Sequence, residues 1–298
     1  MSIATGGHST GASLVLARPD SPLQTPPYAQ AVPADRLTFL GHSTVLIEMD
    51  GTRLLTDPVL GHVLWSIRRR APAVAAHHLT DVDVVFISHG HFDHLDLKSL
   101  RALPGKPIVL VPGGLGHIAG RAGLGPVQEV DEGDHVRVGA LEVQVMRAAH
   151  GRRRSPRIEA DAALGCLVVG SSTIYFAGDT DVLPAWDELA GRVDVALLPV
   201  GGWGPRLGRG HLDPESAARA AAVIRPVVAV PIHWGTLSPI GLHGMMGRRF
   251  HLPGPEFAQA VARVAPDVAV HVLAPGDSMS LPEQRESQLP TPPRSHGL

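Results

Sequence analysis

Four of the six residues in His89-Gly90-His91-Phe92-Asp93-His94 carry side chains that bind metals. They follow an apolar run, residues 82–87, with the character of a buried strand. Side chains on an extended segment alternate between faces, so His89, His91 and Asp93 can share one side. His94 falls on the other side unless the chain turns there. Such a turn suits two adjacent ions, one taking His89 and His91, the other Asp93 and His94. Imidazole with carboxylate at this spacing fits Zn2+, with Mn2+ or Fe2+ as alternatives. A polar loop with exposed histidines is the poorer account of so dense a set.

The run resembles the HxHxDH signature of the metallo-β-lactamase superfamily. That superfamily takes further ligands from the ends of later strands, and the chain offers one at each place. Residues 141–146 alternate like a strand and lead to His150, 172–177 lead to Asp179, and 227–232 lead to His233. The resemblance implies that His89, His91 and His150 hold one metal, Asp93, His94 and His233 the other, and that Asp179 bridges two Zn2+ ions. It spans about residues 36 to 280. Within it, Gly41-His42-Ser43-Thr44, Thr56-Asp57-Pro58, Gly202-Trp203-Gly204-Pro205-Arg206, His211-Leu212-Asp213-Pro214-Glu215 and Ile232-His233-Trp234-Gly235 resemble the branch containing N-acyl-phosphatidylethanolamine-hydrolysing phospholipase D. Ascorbate-6-phosphate lactonases are more distant relatives. The chain departs from the phospholipase after His150, where Gly151 and three arginines replace an aromatic residue.

Two metals held close together generate hydroxide near neutral pH and clamp the attacking and leaving oxygens. No serine or cysteine nucleophile is then required. The expected enzyme is a metal-dependent hydrolase using a metal-bridging hydroxide, which Asp93 helps to orient. A phosphodiester, such as a phospholipid, is the leading substrate class. A lactone, ester, thioester or amide is the alternative, and a non-catalytic metal-binding protein is disfavoured because no ligand is missing. Asp57 follows a strand and lacks a local basic partner, which suits it to accept the free ring N–H of a metal histidine. His211 is a candidate proton donor or phosphate ligand. His42, Arg152, Arg153, Trp203 and Trp234 are candidates for the substrate side. Arg68-Arg69-Arg70 forms a second basic cluster with apolar neighbours, as a membrane-surface segment would need, although a solvated loop is the commoner setting for such charges.

The strands and helices follow from the apolar pattern. Strands are predicted at 37–40, 44–49 and 52–56, the last two joined by an Asp50-Gly51 hairpin turn. Others fall at 107–111, 126–130, 135–138, 141–147, 164–169, 172–177, 194–198, 227–232 and 268–273. Helices are predicted at 93–103, 184–191, 213–224 and 255–264, with Asp213 and Gly254 as N-caps before prolines. Two runs of strands separated by helices suit an α/β fold of two mixed sheets packed face to face with helices outside. This is the four-layer αββα sandwich that the resemblance implies, with ligands along one edge.

The chain has 298 residues, 44% of them hydrophobic, and a formal charge of −2. That allows a large core and argues against a nucleic-acid partner. One hydrolase domain is expected over residues 36–281, between flexible segments at 1–35 and 282–298. The single cysteine, Cys166, lies in a strand pattern and reads as a buried thiol. No apolar run approaches bilayer length, and no signal segment stands out. The expected location is the cytoplasm, with peripheral membrane contact and a homodimer left open.

Overall fold

The computed structural model describes residues 34–150 and 163–283. Two seven-stranded sheets form the centre of the molecule. In spatial order the first runs Ser278–Ser280, Arg36–Gly41, Thr44–Met49, Thr52–Thr56, Val84–Phe86, Ile108–Pro112, Val127–Val130. The second runs Ala269–Val270, Val228–Ile232, Val195–Pro199, Thr173–Phe176, Leu164–Val169, Leu141–Arg147, His135–Val138. Both are mixed. The half of each sheet that is crossed by helices is parallel, and the half built from hairpins is antiparallel.

The inner faces of the two sheets make one apolar layer, with Phe39, Ile47 and Phe86 from the first meeting Val143, Phe176 and Val230 from the second. Cys166 lies in this layer, and burial pushes its thiol up. Helices Pro214–Ile224 and Pro253–Val264 cover the outer face of the second sheet, and Leu97–Ala102 with Gly116–Ala119 cover that of the first. This is the αββα arrangement. Near-continuous apolar runs made it legible, because parallel strands are covered on both faces.

Some boundaries moved. The predicted helix at 93–103 is only Leu97–Ala102, capped by Asp96 accepting from the Lys98 and Ser99 amides. Residues 91–95 instead form a turn, with the His94 and Leu95 amides both donating to the His91 carbonyl. The last long helix begins at Pro253 rather than Pro255, with Leu252 and not Gly254 before it. First-turn amides need no intrahelical partner, so both prolines fit there. The strand predicted at 268–273 is reduced to Ala269–Val270. Its neighbour Pro231 has no N–H to offer on that side. Residues 184–189 form a 3-10 helix rather than an α-helix.

A third, small sheet was not foreseen. Val63–Leu64, Ile67–Arg69 and Leu237–Pro239 pair antiparallel beside the main sandwich. Their apolar side, Leu64, Ile67 and Leu237, packs with Phe92 and Trp203. Among the described residues no helix is long and apolar enough to cross a membrane.

Candidate metal centre

Every predicted ligand follows the end of a strand, and all seven converge at one edge of the sandwich. His89 comes three residues after Val84–Phe86, Asp179 three after Thr173–Phe176, and His233 directly after Val228–Ile232. Gly178 precedes Asp179 with φ +60°, and a Cβ there would lie 2.7 Å from the Leu164 carbonyl oxygen. Only glycine lets the backbone turn there. His150 is set by its loop: the Ala149 amide donates to Thr180 Oγ1 at 2.9 Å and the Asp181 amide to the Ala149 carbonyl at 2.8 Å.

Among the described residues, four groups of side chains lie close enough to hold an ion: His89, His91 and His150; His42, Asp93, His94 and His233; His89, His94 and Asp179; His150, Asp179 and His211. His91 Nδ1 lies 2.8 Å from His89 Nε2 and 3.2 Å from His150 Nε2. On the other side His94 Nε2 and His233 Nε2 are 3.2 Å apart. Asp179 stands between the halves, with Oδ2 3.9 Å from His89 Nε2 and 3.3 Å from His94 Nε2, and Oδ1 3.2 Å from His233 Nε2.

The outward-facing ring nitrogens decide what the inward ones can do. His94 Nδ1 donates to Asp57 Oδ2 at 2.7 Å, His233 Nδ1 to the Gly201 carbonyl at 2.8 Å, and His150 Nδ1 to the Gly210 carbonyl at 2.8 Å. His89 Nδ1 meets Ser88 Oγ at 2.9 Å, and that hydroxyl donates to Asp57 Oδ2 at 2.6 Å. Each neutral ring therefore aims an Nε2 lone pair inward. Lone pairs facing one another at about 3 Å around a buried carboxylate repel unless a cation lies among them. Asp179 Oδ1 is a buried oxygen without a hydrogen bond. The donor set thus fits first-row metal ions.

Electrostatics point the same way. Burial, then the charge of His94, holds His89 well below the ordinary imidazole value. Burial and His150 bring His91 down to about 4. His94 goes the other way: burial opposes its charge, but Asp179, Asp57 and Asp93 outweigh it and hold it well above the usual value. Burial would raise Asp179, yet His233 and His94 keep its carboxyl well below the ordinary range. The site favours positive charge at its centre, a proton on His94 or a metal in its place.

The other predicted residues are placed as follows. Asp57 is fully buried and takes three donors: the Ser88 amide, the Ser88 hydroxyl and His94 Nδ1. His211 is half-buried, with Nδ1 3.2 Å from the Gly208 carbonyl and Nε2 3.3 Å from Asp179 Oδ2. Trp203 donates its indole N–H to Asp93 Oδ2 at 2.9 Å. His42, expected on the substrate side, is instead buried behind the ligands. Its Nε2 lies 3.0 Å from the same Asp93 oxygen, and its ring is 4.0 Å from that of His233. Trp234 also departs from expectation: its indole donates to the Pro231 carbonyl and its ring packs against the helix layer at Gly254. The arginine triplet 68–70 is divided, since Arg69 is buried and donates to the carbonyls of Pro72, Val59 and Leu40. Arg152 and Arg153 lie outside the described residues. Sequence reasoning missed Ser88 and Thr236, whose hydroxyl receives the His42 amide at 2.8 Å; neither residue carries a type or spacing signal.

Two halves of a histidine-rich cleft at the edge of an αββα sandwich define a metallo-β-lactamase-type protein. The sequence profile described as the Beta-lactamase superfamily domain matches residues 52–234, and the chain belongs to that family. A UPF0173 metal-dependent hydrolase of Methanopyrus kandleri is 32% identical over 254 residues, covering 82% of this chain and 98% of the relative. Among solved structures, Igni18, a metallo hydrolase from Ignicoccus hospitalis, superposes with TM-score 0.61 at 23% identity over 83% of this chain and 97% of that one. CmlA, a diiron β-hydroxylase from Streptomyces venezuelae, gives TM-score 0.60 at 23% identity over 83% and 54%. These two share the fold, and the fold therefore does not select the metal or the reaction.

Proposed function

We propose that the protein is a dinuclear metal-dependent hydrolase acting on phosphodiesters. In this reading His89, His91 and His150 would hold one ion and Asp93, His94 and His233 the second, with Asp179 available to both. The observation that carries it is the set of inward imidazole lone pairs around the buried Asp179 carboxylate. Once bound, two such ions lower the pKa of water towards neutrality and neutralise charge on the attacked group. Zinc suits these nitrogen and oxygen donors, with manganese or iron as alternatives.

The chain's own residues supply the rest. Ser88 and Asp57 fix the rings of His89 and His94, while the Gly201 and Gly210 carbonyls fix those of His233 and His150. His42 and Trp203 both hold Asp93 Oδ2, the oxygen that lies 3.6 Å from His94 Nε2 and 3.7 Å from His233 Nε2. In diester cleavage a water oxygen bonds to phosphorus, the P–O bond to the leaving alcohol breaks, and that oxygen takes a proton. His211 is the donor placed for this step. Burial lowers its proton affinity, but Asp179 outweighs that and raises it above the ordinary imidazole value. The segment carrying His211 and Trp203, residues 195–212, holds Arg206 and Arg209 and no acidic residue, which favours an anionic substrate. Cleavage of a phospholipid headgroup, as in the branch resembled, is the narrower form of this proposal.

The test is steady-state kinetics of metal-quantified protein on soluble diesters, phospholipids, a lactone and a neutral ester. Diester cleavage should dominate, and Arg206→Ala or Arg209→Ala should raise KM for the diester alone by about three- to tenfold. Ready lactone cleavage without diesterase activity overturns the phosphodiester assignment and puts the lactonase in its place.

A further inference from the structure

Beside the metal centre the small sheet carries a surface that the hydrolytic reading does not use. Trp65 is the first of two residues in the turn joining Val63–Leu64 to Ile67–Arg69, and it is 85% exposed. Its φ is +52°, where glycine or asparagine ordinarily sits and a bulky residue is strained. The Ile240 amide donates to the Ser66 carbonyl at 2.9 Å, which puts the segment after Leu237–Pro239 alongside this turn. That segment exposes Ile240, Leu242 and, at 76%, Met245. Large apolar side chains gathered on one lobe mark an interaction surface rather than scattered exposure.

The charges of the lobe are one-sided. Residues 58–80 and 234–255 contain five arginines and no aspartate or glutamate, in a chain whose formal charge is −2. Arg69 is buried and structural, and Arg248 pairs with Glu256 at 3.0 Å. Arg70 and Arg249 are exposed; Arg70 Nε donates to Ser238 Oγ at 2.9 Å, and Arg249 lines a cavity shared with Asp213 and Glu256. The apolar tip also leads to the chemistry. The ring of Trp65 lies 6.4 Å from Phe92, Phe92 lies 5.7 Å from Trp203, and Trp203 donates to Asp93.

We propose that this lobe docks on an anionic lipid surface, with Trp65, Leu242 and Met245 entering the interface and Arg70 and Arg249 meeting the headgroups. A protruding tryptophan at a tight turn, flanked by arginines, matches the interface between acyl chains and charged headgroups. A strained backbone holding an unburied indole is poor for stability and therefore points to a role outside the fold. The proposal concerns docking and holds whether the substrate is a phosphodiester or a lactone.

The experiment is flotation of the full-length protein with vesicles of phosphatidylcholine alone or with one-third phosphatidylglycerol. Binding should require the anionic lipid and be released by high salt. Arg70→Ala and Arg249→Ala should each weaken it about fivefold. Trp65→Gly is the decisive variant. It relieves the positive φ, so it should melt higher than wild type while losing most vesicle binding and the lipid-induced shift in tryptophan fluorescence. Soluble-substrate turnover should be unchanged. No binding to the anionic vesicles, or full binding by a folded Trp65→Gly, overturns the proposal. So does a concentration-dependent dimer abolished by that variant in protein that ignores vesicles, which gives the surface to a second copy. Salt-sensitive binding to polyglutamate without vesicle binding overturns it in favour of an acidic protein.

Discussion

Replacing Asp57 by asparagine changes no volume and removes one acceptor from a fully buried triad of hydrogen bonds. Asp57 Oδ1 takes the Ser88 amide at 2.7 Å, and Oδ2 takes the Ser88 hydroxyl at 2.6 Å and His94 Nδ1 at 2.7 Å. Asparagine offers one oxygen, so one arrangement must fail. If the amide oxygen stays at the Oδ2 position, its NH2 faces the Ser88 amide, donor against donor, at a cost of about 1–3 kcal/mol. If the side chain flips, the NH2 faces His94 Nδ1. The ring must then carry its proton on Nε2, which removes the inward lone pair. Metal-free protein can choose the cheaper arrangement, but metal-bound protein is held to the first. The expected loss of metal affinity is about 10–100-fold, equivalent to roughly 1.4–2.7 kcal/mol. The thermal midpoint of the loaded protein should fall by roughly 2–10 °C. Titration against a competing chromophoric chelator reads the first quantity, and scanning calorimetry with and without metal reads the second. Unchanged affinity together with an unchanged midpoint would refute the claim that Asp57 fixes the His94 tautomer.

Other perturbations test separate parts of the structure. His91→Ala and Asp179→Ala should abolish hydrolysis while leaving the far-ultraviolet circular dichroism intact, because the ligands lie at the edge of the sandwich and outside its apolar layers; global unfolding would make the metal structural. Trp203→Phe keeps a ring beside Phe92 but loses the N–H to Asp93 Oδ2, and steady-state kinetics should show about a tenfold fall in kcat with little change in KM. Gly254→Ala would put a Cβ 2.3 Å from Trp234 Cζ2, so a melting curve should show about 1–3 kcal/mol of destabilisation, with KM unaffected because Trp234 packs on the helix layer. Glu48 pairs with Arg36 and Arg53. Burial would raise its carboxyl, but the arginines hold it below the ordinary range. Its contribution is therefore complete above its unfolded pKa and is lost as pH falls through the folded value. Urea midpoints should drop across that acid window in wild type, and Glu48→Gln should flatten the drop after losing about 1 kcal/mol at neutral pH.

What the sequence revealed followed from short-range patterns. Apolar runs covered on both faces and alternation such as residues 141–147 placed most strands, and the dense ligand run placed one wall of the cleft. Asp213 before Pro214 marked its helix start, and the structure shows the reciprocal bonds with Ser216. What stayed hidden depends on long-range pairing. Leu237–Pro239 meets Ile67–Arg69 across a wide sequence gap, and three residues per strand carry too little period to announce themselves. Alternation along Ile67–Arg69 turns Arg69 inward, where it donates to the carbonyls of Pro72, Val59 and Leu40, and leaves Arg70 exposed. Trp234 follows a ligand in sequence, but the left-handed turn at His233 separates the two: the indole folds back to donate to the Pro231 carbonyl and packs on the helix layer.

Backbone conformation explains why side chains from distant segments can face one centre. His42, Asp57 and His233 each follow directly on a strand, and each has a positive φ, +57°, +34° and +62°. A side chain continuing a strand would point into a sheet face. Entering the left-handed region swings it over the strand end, bringing His233 into the ligand cluster and His42 and Asp57 against the back of it. Histidine and aspartate tolerate that region only at a cost of about 1–3 kcal/mol each. The surroundings hold them there: the His42 amide donates to Thr236 Oγ1, the His233 amide to the His42 carbonyl, and Asp57 is locked by Ser88 and His94. Glycine would adopt the same φ without strain, but it supplies neither a ring nor a carboxylate. Three strained residues that touch the same cluster of ligands are therefore best explained by the chemistry of the cleft, since glycine at any of them would relieve the strain at its own position.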